Sequence, residues 1–258
     1  VCSDLLSDER AKAFVADLQV DYQRVREQHA NKKQTALVTL AAARANKTRI
    51  DWAGYEPPKP RFIGRREFKQ QDLKVLASVI DWTPFFQTWD LAGKYPNILS
   101  DEVVGVEATR LHGDALRMLQ KIIDGRWLQA SAALALLPAN TVDDDTIEVY
   151  ADETRREVLL RWTPLRMQTE RPVVDGVARP NRSLADFVAP KGVKNDYVGM
   201  FCVTAGLGAE TKAQQFEAAH DDYSAIMLKA LADRLAEAYA EHLHQRVRTE
   251  LWGYAADE

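Results

Sequence analysis

Apolar residues recur at helical spacing over long stretches of this chain and crowd into short runs elsewhere. Phe14, Leu18, Tyr22 and Val25 predict a helix over residues 7–30, with Ser7 as N-cap and Arg10 where a capping box wants Glu. Its apolar face is thin, so this helix is expected to lean on something outside itself. Shorter helices are predicted over 36–46 and 69–79. Between them Pro57, Pro58 and Pro60 force an extended path, which reads as a strap or linker. Residues 101–123 predict a long amphipathic helix through Val103, Val106, Leu111, Leu116, Leu119, Ile122 and Ile123. Residues 213–250 read as one helix of about ten turns. Its apolar face holds Phe216, Tyr223, Met227, Ala230, Leu231, Leu235, Tyr239, Leu243 and Val247.

The runs predict strands. Residues 132–137 read as a buried strand, 140–145 as a turn and 146–150 as the return strand of a hairpin. Residues 196–204 predict a central strand and 205–208 a turn. Residues 157–167 fit helix or strand, 172–180 a loop, and 183–187 a short turn or helix. A helix running from about 83 through Trp89 is expected to start at Pro84, with Asp81 or Trp82 as its cap, and to end at Gly93. No internal repeat is visible.

Composition narrows the class. The 258 residues are 46% apolar and 28% charged, the profile of a folded globular protein. One large domain behind an N-terminal arm is the expectation. No apolar run approaches the roughly 18 residues of a membrane helix. The start, Val-Cys-Ser-Asp, has no signal-peptide pattern and no initiator Met, which reads as a fragment or processed chain. Cys2 and Cys202 form no CxxC pair, so a reducing, cytoplasmic setting fits. The net charge of −4 divides unevenly: residues 1–70 carry +5 and the remainder −9. An acidic body suits a cationic ligand and argues against nucleic acid.

Two constellations could carry chemistry. Residues 81–96 place Trp82, Phe85, Phe86, Trp89 and Tyr95 beside Asp81 and Lys94. The pattern fits an aromatic core anchor equally with an aromatic-walled pocket whose carboxylate receives a flat cation. On the last helix Asp233, Glu237, Glu241 and His244 share one face, either a solvated face or a second acidic wall. No metal site is expected. The histidines are His29, His112, His220, His242 and His244; no HExxH occurs, and His242 and His244 point about 200° apart on a helix. His220-Asp221-Asp222 reads as a cap. Gly206-Leu207-Gly208 lacks the third glycine of a dinucleotide fingerprint, since Thr211 stands there, and reads as a turn. No GxSxG, P-loop or Cys/His nucleophile pattern is present.

Residues 81–96 resemble the activation (reactivation) domain of cobalamin-dependent methionine synthase. So do Leu99-Ser100-Asp101-Glu102-Val103-Val104-Gly105-Val106-Glu107-Ala108, Leu137-Pro138-Ala139-Asn140, Leu184-Ala185-Asp186-Phe187-Val188-Ala189-Pro190-Lys191, the runs from His220 and Lys229 in the last helix, and Trp252-Gly253-Tyr254. The resemblance implies an α+β fold: a C-shaped single domain with a twisted antiparallel sheet and long helices, behind a helical and extended N-terminal arm. Residues 1–60 would be the end of the cobalamin-binding module and a linker, and 61–258 the activation domain. The implied role belongs to a methyltransferase of methionine biosynthesis. The domain binds S-adenosylmethionine for the reductive methylation of cob(II)alamin to methylcobalamin. Cobalamin is held by the neighbouring module, and a flavodoxin-type partner supplies the electron. By resemblance Asp81 and Glu237 line the S-adenosylmethionine site, while Lys94 and Asp233 meet the cobalamin module or neighbouring domain surfaces. No side chain here need act as acid, base or nucleophile, and no membrane or nucleic-acid partner is implied.

One departure bears on binding. The family's Arg-Pro-Ala-Pro-Gly-Tyr-Pro segment follows the Trp-Gly-Tyr motif, and this sequence stops at Glu258 before it. Weak or absent binding of S-adenosylmethionine by this stretch alone is therefore expected, since losing a bidentate arginine partner costs about 2–4 kcal/mol. Two other readings are a docking module for the cobalamin domain or flavodoxin that binds no small molecule, and a free-standing methyltransferase. The lack of a glycine-rich nucleotide loop argues against the second.

Overall fold

The computed structural model describes residues 2–30, 36–171, 173–174 and 176–258. The chain forms two compact units: Val1–Arg49 with Leu165–Ser183, and Ile50–Pro164 with Leu184–Glu258.

In the first unit α1 (Cys2–Leu5) precedes α2 (Asp8–Ala30). Ser7 Oγ accepts from Arg10 N at 3.4 Å, the expected cap. Phe14 and Leu18 are half-buried, whereas Tyr22 and Val25 are exposed. Helix α3 (Leu40–Ala45) begins later than the pattern suggests, because Thr39 Oγ1 caps Ala42 N. Residues 36–38 are instead extended and bond to 168–170: Val38 N donates to Gln168 O and Glu170 N to Ala36 O. The expected loop at 172–180 contains a small hairpin, β5 (Val173–Val174) with β6 (Val177–Ala178), turned through Gly176 at φ +77°. Pro172 lies outside the described residues.

In the second unit residues 50–63 run as the expected extended strap. Trp252 Nε1 donates to Pro58 O at 2.7 Å and Arg61 donates to Glu250 O at 3.1 Å, which pins the strap. The antiparallel sheet is built on β2 (Gln129–Thr141). On one side β2 pairs first with β1 (Gly64–Gln71, Leu136 opposite Gly64) and then with β3 (Ile147–Tyr150, Ala139 opposite Val149). On the other it pairs with β7 (Asp196–Leu207, Leu136 opposite Gly199). Strand β4 (Val158–Trp162) follows β3. The 139–149 hairpin is as read from the pattern, and the α+β class is as the resemblance implied. The central strand is β2 rather than β7, whose residues are mostly exposed or half-buried. Within residues 157–167 only the strand β4 forms, and 163–167 carry no regular structure.

Strand β1 replaces the front of the helix expected over 69–79. Its residues are nearly all polar, so no alternation announces it; it forms because β2 offers a free edge, and its Lys and Arg keep that edge from pairing further. Asp72 then caps α4 (Leu73–Ala77), accepting from Lys74 N. Helix α6 (Gly105–Gly125) starts four residues later than expected. Val103 and Val106 are about 90% exposed, and Asp101 Oδ1 accepts from the N–H groups of Val103 and Val104 in the turn before the helix. Leu116 also faces outward, while Leu111, Leu119 and Ile122 are buried.

The predicted ten-turn helix is two helices. Helix α7 (Ala209–Ala218) stops at a corner where His220 takes φ +58°, and α8 (Asp222–Arg246) restarts with Asp221 accepting from Ser224 N. A π-helical turn, Val247–Leu251, extends it. Leu228, Leu231, Leu235, Tyr239 and Leu243 of α8 are fully buried. They pack with Leu134 and Leu136 of β2, Leu76 of α4 and Ile122 of α6. Burial of each such side chain contributes about 1.5–3 kcal/mol. A smaller core of Ala139, Ile147, Val149, Ala185 and Val188 closes the far end of β2.

Candidate functional site

Asp81 sits exposed between α4 and α5 (Thr83–Thr88). Its Oδ1 accepts from Thr83 N at 2.9 Å, so it opens the helix, and Pro84 fills the first turn where a missing N–H costs nothing. The helix ends at Thr88 with Trp89 as C-cap, five residues short of Gly93. The carboxylate therefore spends one oxygen locally and has no ion pair among the described residues.

Behind it the aromatic residues form a nest. Phe85 and Phe86 are fully buried and Trp82 nearly so. Trp82 meets Phe85 edge-on at 5.4 Å, Phe86 stacks with Tyr95 at 6.4 Å, and Trp89 meets Tyr223 of α8 at 5.3 Å. Thr83 Oγ1 accepts from Tyr95 N, which ties the turn carrying Lys94 back to α5. Phe85 and Phe86 anchor the core, while Asp81, Lys94 and Tyr95 stay exposed.

Helix α8 packs against both α4 and α5, and its Leu228, Leu231 and Leu235 belong to the same buried core as Leu76 and Phe85. Asp233, Glu237, Glu241 and His244 of α8 are exposed and share one face, as their spacing predicts. Among the described residues Asp233, Glu237 and Lys94 have no ion pair. Glu241 and His244 line a cleft of about 270 Å³ with Val79, His242, Gln245 and Arg248. Val79 lies two residues before Asp81, so this cleft opens beside the α4–α5 corner. Arg248 is committed to Glu258 through two 2.6 Å bonds. No group of three or more His, Cys, Asp or Glu among the described residues is arranged to hold a metal. Gly208 at φ +99° makes the corner into α7, and Leu207 remains in β7.

The residue that periodicity missed is His112. It lies on the inward side of α6 next to Leu111, with its ring 4.6 Å from Trp82, 5.3 Å from Tyr95 and 6.1 Å from Phe86. The available signal was a lone histidine on an otherwise apolar stripe.

Residues 72–258 match the family described as vitamin B12 dependent methionine synthase, activation domain. The chain belongs to this family. The activation domain is also similar to a solved structure described as the MetH reactivation domain bound to AdoHcy, at 52% identity and a TM-score of 0.79, over 87% of this chain and 67% of that one. Its parent enzyme is a methyltransferase. No helix of the described residues is long and apolar enough to cross a membrane.

Proposed function

We propose that this activation domain binds S-adenosylmethionine between Asp81 and Glu237 and presents its methyl group for the reductive methylation of cob(II)alamin. The observation that carries this reading is the 52% identical reactivation domain, which was solved with AdoHcy bound. Asp81 and Glu237 are exposed carboxylates with no ion pair among the described residues, which suits the ammonium and sulfonium charges of the donor. The ring nest behind Asp81 supplies the apolar, cation-tolerant backing. The chain's own contribution is orientation: the helix cap fixes Asp81, and the buried side of α8 fixes Glu237, so the donor is held in one pose. Cobalamin, carried by the neighbouring module, supplies the metal centre that accepts the methyl group, and a flavodoxin-type partner supplies the electron.

Residues 1–60 are read as the end of the cobalamin module and its linker, and 61–258 as the activation domain. Lys94 and Asp233 are read as the charges that meet the cobalamin module. The setting is taken to be cytoplasmic.

The test is calorimetric titration of the full-length enzyme with S-adenosylmethionine. Asp81→Asn and Glu237→Gln should each weaken binding by roughly tenfold or more, the loss expected of a charge-assisted hydrogen bond, with the circular dichroism spectrum unchanged. Unaltered affinity in both variants would sink the reading and leave docking without a small molecule. Lys94→Glu should leave donor affinity intact and slow reactivation.

A further inference from the structure

His112 occupies an unusual place in α6. Its neighbours on the inward stripe, Ala108, Leu111, Ala115 and Leu119, are apolar and buried. Its Nε2 is buried and has no hydrogen-bond partner among the described residues. Three rings of the 81–96 segment surround it, and the edge-on contact with Trp82 is the tightest. The imidazole thus stands between the residue after Asp81 and the residue after Lys94. It lies between the start of α5 and the turn that Thr83 Oγ1 holds through Tyr95 N.

A neutral imidazole fits this nest and an imidazolium does not. Protonation would place a charge and an N–H donor at Nε2 where no acceptor is found. Ring faces attract cations, yet burial prevails and holds the His112 pKa below its ordinary 6.5. The elements packed against it present Trp82, Phe86 and Tyr95, of which Tyr95 alone titrates. On its own helix Arg110 is bound to Glu107, and Asp114 to Arg117 and Tyr223. No charged side chain of α8 pairs with it among the described residues. Nothing on these faces would compensate the new charge.

We propose that His112 is a positioning residue of the methyl-donor site: neutral, it props Trp82 and Tyr95 apart, and on protonation it leaves the nest, frees the Lys94–Tyr95 turn and weakens donor binding. This rests on the reading of Asp81 as a donor contact. It makes donor binding acid-sensitive.

The experiment follows the full-length enzyme from about pH 7.5 to about pH 5.5, the window in which histidine changes charge. S-adenosylmethionine is titrated into wild type, His112→Phe and, as a control, Asp81→Asn. Wild-type affinity should fall measurably on acidification, by less than the about tenfold that one histidine at its ordinary pKa gives between these two pH values. His112→Phe keeps a ring in the nest and should hold its affinity within about twofold. An equal fall in His112→Phe, or none in wild type, overturns the proposal. Absence of binding at pH 7.5, or no effect of Asp81→Asn, overturns the donor-site reading instead. The turn is then read directly by hydrogen exchange: protection of the Tyr95 amide, relative to His112→Phe, should drop on acidification in wild type. Parallel protection in the two proteins would show that His112 does not govern the turn.

Discussion

The side-chain amide of Asn46 donates to Oδ1 of Asn181 at 2.8 Å, across 135 residues of sequence. Asn181 is 3% exposed, and its own Nδ2 donates to Met167 O and Thr169 O. Asn46 also donates to Arg179 O. This buried amide therefore stitches the end of α3 to the 165–183 segment, beside the backbone bonds between 36–38 and 168–170.

Asn181→Ala should open that unit. The change strands the carbonyls of Met167 and Thr169 and the Asn46 amide, and each buried polar group left unsatisfied costs about 1–3 kcal/mol. Limited proteolysis should cut within residues 36–49 and 165–183 at a faster rate, while cleavage in α6 and α8 stays at the wild-type rate. Equal acceleration throughout would show that the two units unfold together.

This stitch was invisible in the sequence for a physical reason. Helical and strand periods report which side of an element is buried, so α2, α6, α8 and the β2–β3 hairpin were legible, as was the shared face of Asp233, Glu237, Glu241 and His244. Polar contacts between distant segments leave no period. Strand β1 was lost for a related cause: Arg65, Arg66, Glu67 and Lys69 look solvated because three sides of an edge strand face water or a sheet margin. The break at His220 was hidden because α7 and α8 keep apolar residues in step across it, and only the left-handed φ reveals the corner. At the site, Asp81 and the rings were legible from composition and from family resemblance, whereas His112 needed the packing of α6 against α5.

Glu148→Gln should destabilise the sheet's far end. Glu148 is 4% exposed; its Oε2 accepts from Lys191 at 2.9 Å and Tyr150 at 3.0 Å, and its Oε1 from Arg161 at 2.9 Å. The Lys191 bond, with those of Arg161 and Tyr150, holds this carboxyl below the ordinary value despite burial. Because the folded value is depressed, the contribution is present above about pH 4.5 and is lost as pH falls below it. Lys191 and Arg161 reach water, so the loss on mutation is about 1–3 kcal/mol rather than that of a deep ion pair. Urea melts should show the gap between the two proteins at pH 7 and its closure in acid. A gap that persists to pH 3 would contradict the assignment.

Gly208→Ala should be worse than its size suggests. The backbone sits at φ +99°, and a Cβ there would lie 2.5 Å from the carbonyl oxygen of Trp127. Strain of this kind costs about 1–3 kcal/mol, and the clash is with backbone that cannot swing aside. A drop in Tm of several degrees is expected, whereas Gly176→Ala, with open space around its Cβ at φ +77°, should fall by less. Equal drops would place the cost in φ alone.

Tyr223 offers the prediction with a direct spectroscopic readout. Its hydroxyl donates to Asp114 Oδ2 at 2.8 Å, linking the first turn of α8 to α6, and its ring also rests on Trp89. Partial burial, then the Asp114 hydrogen bond, pushes the phenol up to about 12. A folded value above the ordinary 10 means that the bond's contribution is whole below pH 10 and is lost as pH rises from 10 toward 12. Asp114→Asn should therefore bring one tyrosine's ionisation back toward the ordinary range in a tyrosinate absorbance titration. Tyr223→Phe should remove that high-pH step entirely and cost about 0.5–1.5 kcal/mol in urea melts at neutral pH, the net worth of one hydrogen bond. Because Phe keeps the contact with Trp89, S-adenosylmethionine affinity in the full-length enzyme should be unchanged. A large loss of affinity in Tyr223→Phe would mean that the hydroxyl, and not the ring, is what α8 supplies to the nest.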